Sequence, residues 1–422
     1  MAGRFYGIEW IDDQVGGVTV SEARAALAFV VGTADVGAVH TDLADRAAHI
    51  NEPILIRTKE EAIAAFGPRG GGFSLPQALD QLLSEAGPKG IGRIVAVNVY
   101  DPDVHTNGVG DVTAADVIGT FDAGGVPSGL QVAYTLFNRF GGFAKFIDVP
   151  GFSLAAGVRS ALSQLCLRTR ARSALNAPAG VNVQQAIEAR GPGGDFDLQT
   201  ADRRLSLLWP RMRATDPDTA GQTILVPYSS TFLGVWMRTV QERGWHYSPS
   251  NWPILGMEEG ELDVVYIPGD TTSDPFLLRD AGLVTTEERW GQGMHTSGNR
   301  SAAWPTDTDI RNLMHVQLSE DVLIDALTLY LEQFKDRPGG AARLESIEEG
   351  ANDYLGEKTQ GNDPEISGGR FRFDRKLTTA NTVAGGKFVF DLDWAPIGLM
   401  EHIQTRHEID LSLLGNPLGL AA

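Results

Sequence analysis

One cysteine, Cys166, is present among the 422 residues of this sequence. A chain with a single cysteine cannot form an internal disulfide or a cluster of thiolates around a metal ion. Cys166 lies in the apolar stretch ALSQLCL. We therefore interpret it as a small buried hydrophobic residue.

Long hydrophobic runs and an excess of basic charge are also missing. No stretch approaches a membrane span of about 20 apolar residues, and the start, MAGRFYGIEWIDD, has no apolar run behind a basic segment. The chain has 35 basic and 54 acidic residues, and its formal charge is −19. This balance opposes binding to nucleic acid or to anionic membranes, so we expect neither partner. We expect a protein that is made and kept in the cytoplasm.

Motifs of catalytic and cofactor sites are weak or missing. The glycine-rich stretch GPRGGG at 67–72 lacks the Lys-Ser/Thr pair of a phosphate loop, which favours a flexible turn. Asp101, Asp103 and His105 alternate, but the glycine beyond them does not fit a calcium loop. The 8 histidines include no HExxH pair. We therefore expect no metal and no cofactor.

Four other groups have structural explanations that we favour over functional ones. Ser153 in GFSLAAG is interpreted as a helix cap and not as a nucleophile. His402 and His407 differ by an odd number of positions, so a strand would place them on opposite faces. Three cations close a predicted helix, where they complement its dipole or face an acidic neighbour: Arg168, Arg170 and Arg172. One acidic cluster is interpreted as an exposed turn, although it offers carboxylates for acid and base catalysis: Glu258, Glu259, Glu261 and Asp263.

Short buried strands alternate with helices in the first hundred residues. Apolar runs at 27–31, 52–58 and 92–100 are typical of strands, and 59–66 and 75–84 have helical spacing. This alternation predicts an α/β unit.

The character of the chain changes after residue 100. The stretch 101–130 is rich in aspartate and contains no Lys or Arg, which predicts a solvated linker or a peripheral excursion. Strand signals at 145–151 and in LSLLWPRM, with a helical stretch between them, predict a second α/β domain.

The clearest helix is predicted from Ser319 to Arg337. It has one apolar stripe, Ser319 can cap its start, and Pro338 follows its end. A second helix is predicted over 341–355. The polar face of the first helix carries Asp325, Glu332 and Lys335.

Both ends of the chain carry strand patterns that lack an obvious partner. Phe5–Ile11 is a short extended arm, and residues 388–394 and 403–411 alternate with period 2 as a hairpin around Pro396. A lone hairpin leaves two unpaired edges and is marginally stable in water. We therefore expect other strands to complete it.

The order of these motifs resembles that of the tail sheath proteins of contractile-tailed bacteriophages and of related phage-tail-like bacteriocins. The similar segments are FYGIEWID, AFVVGTADVG and INEPILIRT near the start, GWHYSPSNWPILGM and LLRDAGLVTTEERWGQGMHTSGNRSAAWP in the third quarter, and GGKFVFDLDWAPIGLMEHIQTRHEID near the end. In the third quarter the resemblance includes Ala281, Gly282, Gly298, Asn299 and Arg300. Residues 101–220 match only loosely.

The resemblance implies a mixed α/β (α+β) multi-domain sheath fold without enzyme activity or cofactor. Its implied parts are an N-terminal arm at 1–20, an inner domain from 21–100 and 221–384, an inserted outer α/β domain at 101–220, and a C-terminal hairpin and arm at 385–422.

The resemblance also implies a structural subunit that polymerises as stacked hexameric rings around a tail tube. Contraction would drive the tube through the host envelope during genome ejection. The implied partners are further copies of the chain, the tail tube protein, and the baseplate and tail terminator proteins. The implied location is the virion tail, after assembly in the cytoplasm of the host bacterium. Strands exchanged between subunits would contain Phe5, Tyr6, Ile8, Trp10, Phe388, Phe390, Leu392, Trp394, Ile403, Thr405, Ile409 and Leu411.

The resemblance leaves candidate roles for a few further residues and leaves alternatives open. The hinge candidates are Gly16 with Gly17 and Gly385 with Gly386, and the candidate tube contact is the helix face with Asp325, Glu332 and Lys335. The alternative function is a soluble α/β enzyme that uses the carboxylates near Glu258. A tail tube protein is expected to be much shorter. The sequence does not decide whether the particle is an infectious phage or a bacteriocin. It also does not decide whether the sheath is in the extended or the contracted state.

Overall fold

The computed structural model describes residues 26–410 except 193, 195 and 258. The predicted N-terminal arm, the hinge pair Gly16–Gly17, Leu411 and Glu258 lie outside the described residues. The strands are β1 (Leu27–Gly32), β2 (Ile54–Ile56), β3 (Arg93–Asn98), β4 (Phe146–Asp148), β5 (Arg172–Asn176), β6 (Leu205–Leu208), β7 (Met212–Thr215), β8 (Thr223–Val226), β9 (Glu259–Gly260), β10 (Leu283–Arg289), β11 (Gly293–Ser297), β12 (Gly368–Phe373) and β13 (Phe390–Ala395).

Twelve α-helices complete the described part of the chain. They are α1 (Leu43–Ala47), α2 (Lys59–Phe66), α3 (Ser74–Ser84), α4 (Ala114–Ile118), α5 (Leu136–Phe140), α6 (Val158–Thr169), α7 (Val183–Glu188), α8 (Tyr228–Arg243), α9 (Asp274–Asp280), α10 (Met314–Glu332), α11 (Ala341–Lys358) and α12 (Ala380–Ala384). None of the helices within the described ranges is long and apolar enough to span a membrane.

The main sheet has eight strands in the order β11-β10-β6-β5-β4-β1-β3-β2. All its neighbouring pairs are parallel except β2–β3 and β10–β11 at the two edges. Both faces are covered, because Ala28 and Val30 of β1 enter one core while Leu27, Phe29 and Val31 enter the other. Helices α2, α3, α8, α10 and α11 pack on the first face, and α4–α7 and α9 pack on the second. The predicted mixed α/β fold is therefore present.

The stretch 101–130 is not the solvated linker that its composition predicts. Val112, Val117 and Leu130 are buried in the second core. Its aspartates instead satisfy turns and caps, since Asp116 accepts a hydrogen bond from the amide of Thr113 and Asp122 accepts one from that of Val126. The aspartate-rich composition therefore indicated turn chemistry within a packed layer.

The predicted insert at 101–220 does not form a sheet of its own. Its strands β4, β5 and β6 continue the main sheet, and β4 pairs directly with β1. Parallel strands joined by helical crossovers enter one common sheet even when they are far apart in sequence. The strands near 27–98 and those near 146–208 thus share one core on each face.

Two smaller sheets complete the fold, and they correct the predicted C-terminal hairpin. The first has the order β8-β7-β9, and the second pairs β12 with β13. No strand occurs in the described segment 398–410, so β13 does not form a hairpin with residues 403–410. The period-2 pattern located β13 correctly, but its partner lies earlier in the chain, at β12.

The long helix begins before its predicted start. Helix α10 starts at Met314, and Ser319 lies inside it, where its Oγ donates to the carbonyl oxygen of His315 at 2.7 Å. Leu313 occupies the N-cap without a side-chain hydrogen bond. Ser319 is therefore not the cap, and the last predicted turn, after Glu332, is not helical.

Candidate functional site

The ribbon β12–β13 has one apolar face and one charged face. Phe390, Leu392 and Trp394 are half-buried and pack against the first core, where Phe371 of β12 is buried. On the other face, Arg370 pairs with Asp393 at 3.1 Å and Arg372 pairs with Asp391 at 3.4 Å. Cross-strand pairs of these two kinds hold the antiparallel register.

The ribbon keeps one open edge among the described residues, that of β13. Its six residue pairs run from Gly368↔Ala395 to Phe373↔Phe390, and this sheet holds two strands among the described residues. The outer edge of β12 is covered by α11, because the Asn352 side chain bonds both the amide and the carbonyl group of Phe371 and Glu348 accepts from the amide of Phe373. β13 presents backbone groups on its outer edge that another strand can pair with. This arrangement is the template for strand addition.

Hydrogen bonds at Ile397 and Glu401 anchor the start of the C-terminal segment to the body of the protein. Asn299 donates to Oε1 of Glu401 at 2.7 Å, and Nη2 of Arg300 donates to Oε2 at 2.8 Å. Nε2 of His315 lies 3.3 Å from the carbonyl oxygen of Ile397. Beyond Glu401 the described residues are exposed, including the apolar Ile403 and Ile409 and the polar Thr405. An exposed apolar segment of this kind is typical of an element that binds a partner.

The loop residues that carry the sequence resemblance meet around Arg190. Gly282 has φ of +78°, and a Cβ there would lie 2.4 Å from the carbonyl oxygen of Trp304, so only glycine fits this approach. Arg190 donates to the carbonyl oxygens of Ala281, Ala302 and Trp304 at 2.9, 2.8 and 2.6 Å. The role of Arg190 was missed, because nothing near it in sequence indicates those distant carbonyl groups.

The second hinge candidate precedes the ribbon strand β13. Gly385 caps α12, and Gly386 adopts φ of +76°. Phe388 lies between this glycine pair and the start of β13, and its ring packs against Gly339, which follows the end of α10. Their role as a hinge stays a prediction.

Helix α10 faces the amino ends of the central strands with two buried or half-buried aspartates. Asp321 accepts hydrogen bonds from Arg172 at 2.7 Å and from Arg204 at 2.7 and 2.9 Å. One turn later, Asp325 pairs with Lys145 at 2.5 Å and with Arg170 at 2.8 Å. We name this group of six residues the charged cluster: Lys145, Arg170, Arg172, Arg204, Asp321 and Asp325.

Burial dominates the electrostatics of the charged cluster. Desolvation lowers the pKa of Lys145, although Asp325 opposes the shift. Desolvation also lowers the pKa of Arg172 to about 10, with Asp321 acting in the opposite direction. Arg172 stays charged at neutral pH, so Asp321 of α10 balances a buried cation at the amino edge of the sheet. For Arg168, Arg170 and Arg172, the sequence left open whether they complement a helix dipole or face acidic neighbours. Arg170 and Arg172 face acidic neighbours.

The residues predicted to contact a tube are not equivalent. Asp325 is engaged by Lys145 and Arg170 within the chain. Glu332 and Lys335, beyond it on the chain, are exposed. Only the latter two are available on the surface of the subunit.

The residues considered for catalysis are engaged in hydrogen bonds, lie in a strand or are buried. Ser153 does not cap α6, which begins after Gly157; its Oγ accepts from the amide of Asn176 at 3.4 Å. Glu261 accepts from the amide of Gly180 at 2.5 Å, and Glu259 lies in β9. Cys166 is buried, and burial raises the pKa of its thiol to about 12. Within the described ranges, no group of three histidine, cysteine or acidic side chains is placed to bind a metal ion.

Known tail sheath proteins are similar to this chain over nearly its whole length. The tail sheath protein of Burkholderia phage BcepMu is 25% identical over 482 residues, which cover 97% of each chain. The tail sheath protein of Escherichia phage P2 is 24% identical over 425 residues, covering 99% of this chain and 98% of its own. No family model matches the chain. The resemblance inferred from the ordered motifs is confirmed.

Solved sheath structures share the fold. The sheath of an extracellular contractile injection system, PVC, in the contracted state has a TM-score of 0.68 at 13% identity, covering 98% of this chain and 99% of the other. The helical sheath of the anti-feeding prophage in the contracted state has a TM-score of 0.66 at 14% identity, covering 96% and 99%. The predicted fold class is confirmed by this likeness.

Proposed function

We propose that this chain is the structural subunit of a contractile tail sheath, which polymerises as stacked hexameric rings around a tail tube and contracts to drive the tube through a host envelope. The role of a structural sheath protein and not an enzyme follows from the tail sheath relatives. We further propose that the subunits form six-fold rings, that these rings stack, and that they surround a tail tube.

The observation that carries the proposal is the open-edged ribbon beside an outgoing C-terminal segment. β12–β13 is anchored on the core by its apolar face, and the outer edge of β13 remains available to a strand of another chain. The segment beyond Glu401 carries exposed Ile403 and Ile409, which a partner subunit would cover. Strand exchange through these two elements links copies without requiring the subunit bodies to stay fixed relative to one another.

The exchanged strands are proposed from residues of both termini. The N-terminal strand contains Phe5, Tyr6, Ile8 and Trp10, and the C-terminal strand contains Ile403, Thr405, Ile409 and Leu411. They would add in succession to the β13 edge of a neighbour's ribbon, in which Phe390, Leu392 and Trp394 hold the core side. Joints at Gly16–Gly17 and Gly385–Gly386 would let the bodies rotate during contraction.

The remaining partners are proposed from the same assembly. Glu332 and Lys335 are the candidates for the tube contact because both are exposed at and after the end of α10. Baseplate and terminator proteins would bind the two ends of the polymer. The location would be the virion tail, after assembly in the host cytoplasm. Contraction would draw its free energy from new contacts between subunit bodies, each worth a few kcal/mol, without nucleotide.

Electron microscopy of the purified full-length protein beside a variant lacking residues 1–17 tests the proposal. Hollow striated cylinders from the full-length protein, and monomers from the truncated one, are the expected result. Compact particles of fixed size from both proteins would overturn it, because the terminal strands would then be satisfied without neighbours. A variant lacking residues 419–422 is a control for the effect of shortening a terminus.

A further inference from the structure

Trp290 is a fully exposed aromatic side chain at the tip of the β10–β11 hairpin. Glu287 and Arg289 pair with each other beside it, and Glu288 is also exposed. Tryptophan buries about 150–250 Å² when it is covered and is enriched among the residues that dominate protein interfaces. An exposed indole on a two-stranded projection is therefore built to be covered by something.

The hairpin places Trp290 beyond the carboxyl ends of the parallel strands. β10 runs parallel to β6 and pairs with it over Leu283–Val284. Residues 285–289 continue past β6 and pair with β11. At about 3.3 Å per residue, this extension carries the tip roughly 16 Å beyond the last paired residues of β6.

A cleft at the opposite end of the same sheet is lined by aromatic rings and cations. Phe137 and Phe143 stack with ring centroids 5.4 Å apart, and Phe137 is 39% exposed. Arg168 and Arg170, at the end of α6 and directly after it, line the same cleft beside Leu329 of α10. Lys145, directly before β4, and Arg170, just before β5, both line the cleft and mark its position at the amino edge of the sheet. We name this the aromatic–arginine cleft.

The chemistry of the aromatic–arginine cleft suits an indole ring that arrives with acidic neighbours. Arg168 already lies over the ring of Tyr134 at 4.7 Å, which shows a guanidinium poised for stacking on aromatic faces. The cations Lys145, Arg168 and Arg170 outnumber the carboxylates at the cleft, Asp325 and Glu332. The hairpin tip, where the Glu287–Arg289 pair is neutral, contributes the negative charge of Glu288. The net charge of the chain is −19, so a cleft with excess cations is a local exception that attracts an acidic element such as the hairpin tip.

We propose that Trp290 of one copy of this chain inserts into the aromatic–arginine cleft of a second copy. The projection and the cleft lie at opposite ends of one sheet, so the contact is heterologous and each copy keeps a free projection and a free cleft. Such a contact propagates along a line of subunits and does not close into a dimer. The inference deepens the proposed function, on which it rests for the existence of a polymer, by naming a body-to-body contact that does not use the terminal strands.

Cross-linking tests the contact directly. The single natural cysteine is buried, so two variants, Trp290→Cys and Phe137→Cys, can be mixed as full-length proteins and oxidised. A covalent dimer is expected from the mixture, and a ladder of longer species is expected when one chain carries both substitutions. Phe121→Cys, at another exposed aromatic residue, replaces either partner as the matched control and is expected to give no specific product.

An assembly assay gives the second reading. Trp290→Ser and Arg168→Glu are expected to raise the protein concentration needed for assembly by on the order of tenfold or more, whereas Phe121→Ser leaves it unchanged. Cylinders from every variant, without cross-links, would overturn this inference and leave the proposed function standing. Cross-links without cylinders from the unaltered protein would support the contact and overturn the sheath proposal. Absence of both cross-links and cylinders would overturn the two together.

Discussion

Glu401 is held to Arg300 by a hydrogen bond of 2.8 Å between Oε2 and Nη2, across 101 residues of sequence. The same guanidinium lies 4.3 Å from the ring centroid of Trp304, so its position is fixed from two directions. This pair anchors the C-terminal segment to the body of its own chain. The exposed apolar residues beyond it, Ile403 and Ile409, are the ones proposed for a neighbour.

Removing the carboxylate of Glu401 should free the segment around it. In Glu401→Ala, Asn299 and Arg300 lose their acceptor, and we expect a loss of about 0.5–1 kcal/mol of local stability because the pair is only partly buried. Hydrogen exchange of residues 397–402 measures this as faster exchange. Glu408→Ala, in the exposed segment further on, is the control, and equal exchange in both variants would contradict the anchoring role.

Asp321 should be the most sensitive member of the charged cluster. Asp321→Asn leaves Arg172 charged and buried without its carboxylate, and we expect the free energy of unfolding to fall by about 3–5 kcal/mol. Denaturant unfolding measures the loss. Asp393→Asn, which breaks an exposed pair with Arg370, should change stability by less than about 1 kcal/mol. A similar effect of the two substitutions would argue against the buried cluster.

His315 should make the protein sensitive to mild acid. Burial lowers the pKa of His315 from 6.5 to about 4, so the folded state favours the neutral ring. Its contribution to stability is complete above pH 6.5 and is lost as the pH falls towards 4, by up to about 3 kcal/mol. Between pH 7 and 4, the free energy of unfolding should depend less on pH in His315→Gln than in the unaltered protein. His407→Gln, at an exposed position, is the matched control.

Asp148 should have the opposite pH dependence. Burial raises the pKa of this carboxyl group, although a hydrogen bond of 2.6 Å from Ser230 opposes the shift. The folded state therefore favours the protonated acid, whose contribution is present at low pH and is lost as the pH rises through the raised pKa. Asp148→Asn should gain thermal stability relative to the unaltered protein as the pH increases from the ordinary carboxyl value of 3.8 to 8. Thermal melts that keep a constant difference over this range would contradict the assignment.

Local patterns predicted the parts of the fold that depend on local sequence. The helix over 59–66 agrees with α2, and the apolar run at 27–31 agrees with β1, because burial on both faces leaves a continuous hydrophobic run. The start of α10 was placed too late, since its N-cap, Leu313, makes no side-chain hydrogen bond, and Ser319 was taken as the cap instead. A cap-like residue inside a helix can hydrogen-bond to the preceding turn, as Ser319 does.

Contacts between distant segments could not be derived in the same way. Arg172 and Asp321 are 149 residues apart, and neither sequence neighbourhood indicates the other. The ribbon gives a second case, because alternation in 390–394 predicts a strand but does not say that β12 is its partner. Pairing depends on the path of the whole chain, which a period of two residues does not encode.

The antiparallel register of β12 and β13 also determines how the ribbon responds to force. Its hydrogen bonds lie perpendicular to the strands, from Gly368↔Ala395 to Phe373↔Phe390. A pull along the strand direction, applied at opposite ends of the two strands, loads these bonds in shear and all together. A pull across the ribbon opens them one after another from the end, as in unzipping. A strand added to the outer edge of β13 would inherit this directional strength, so the ribbon can act as a tensile joint along one axis and a releasable one along the other.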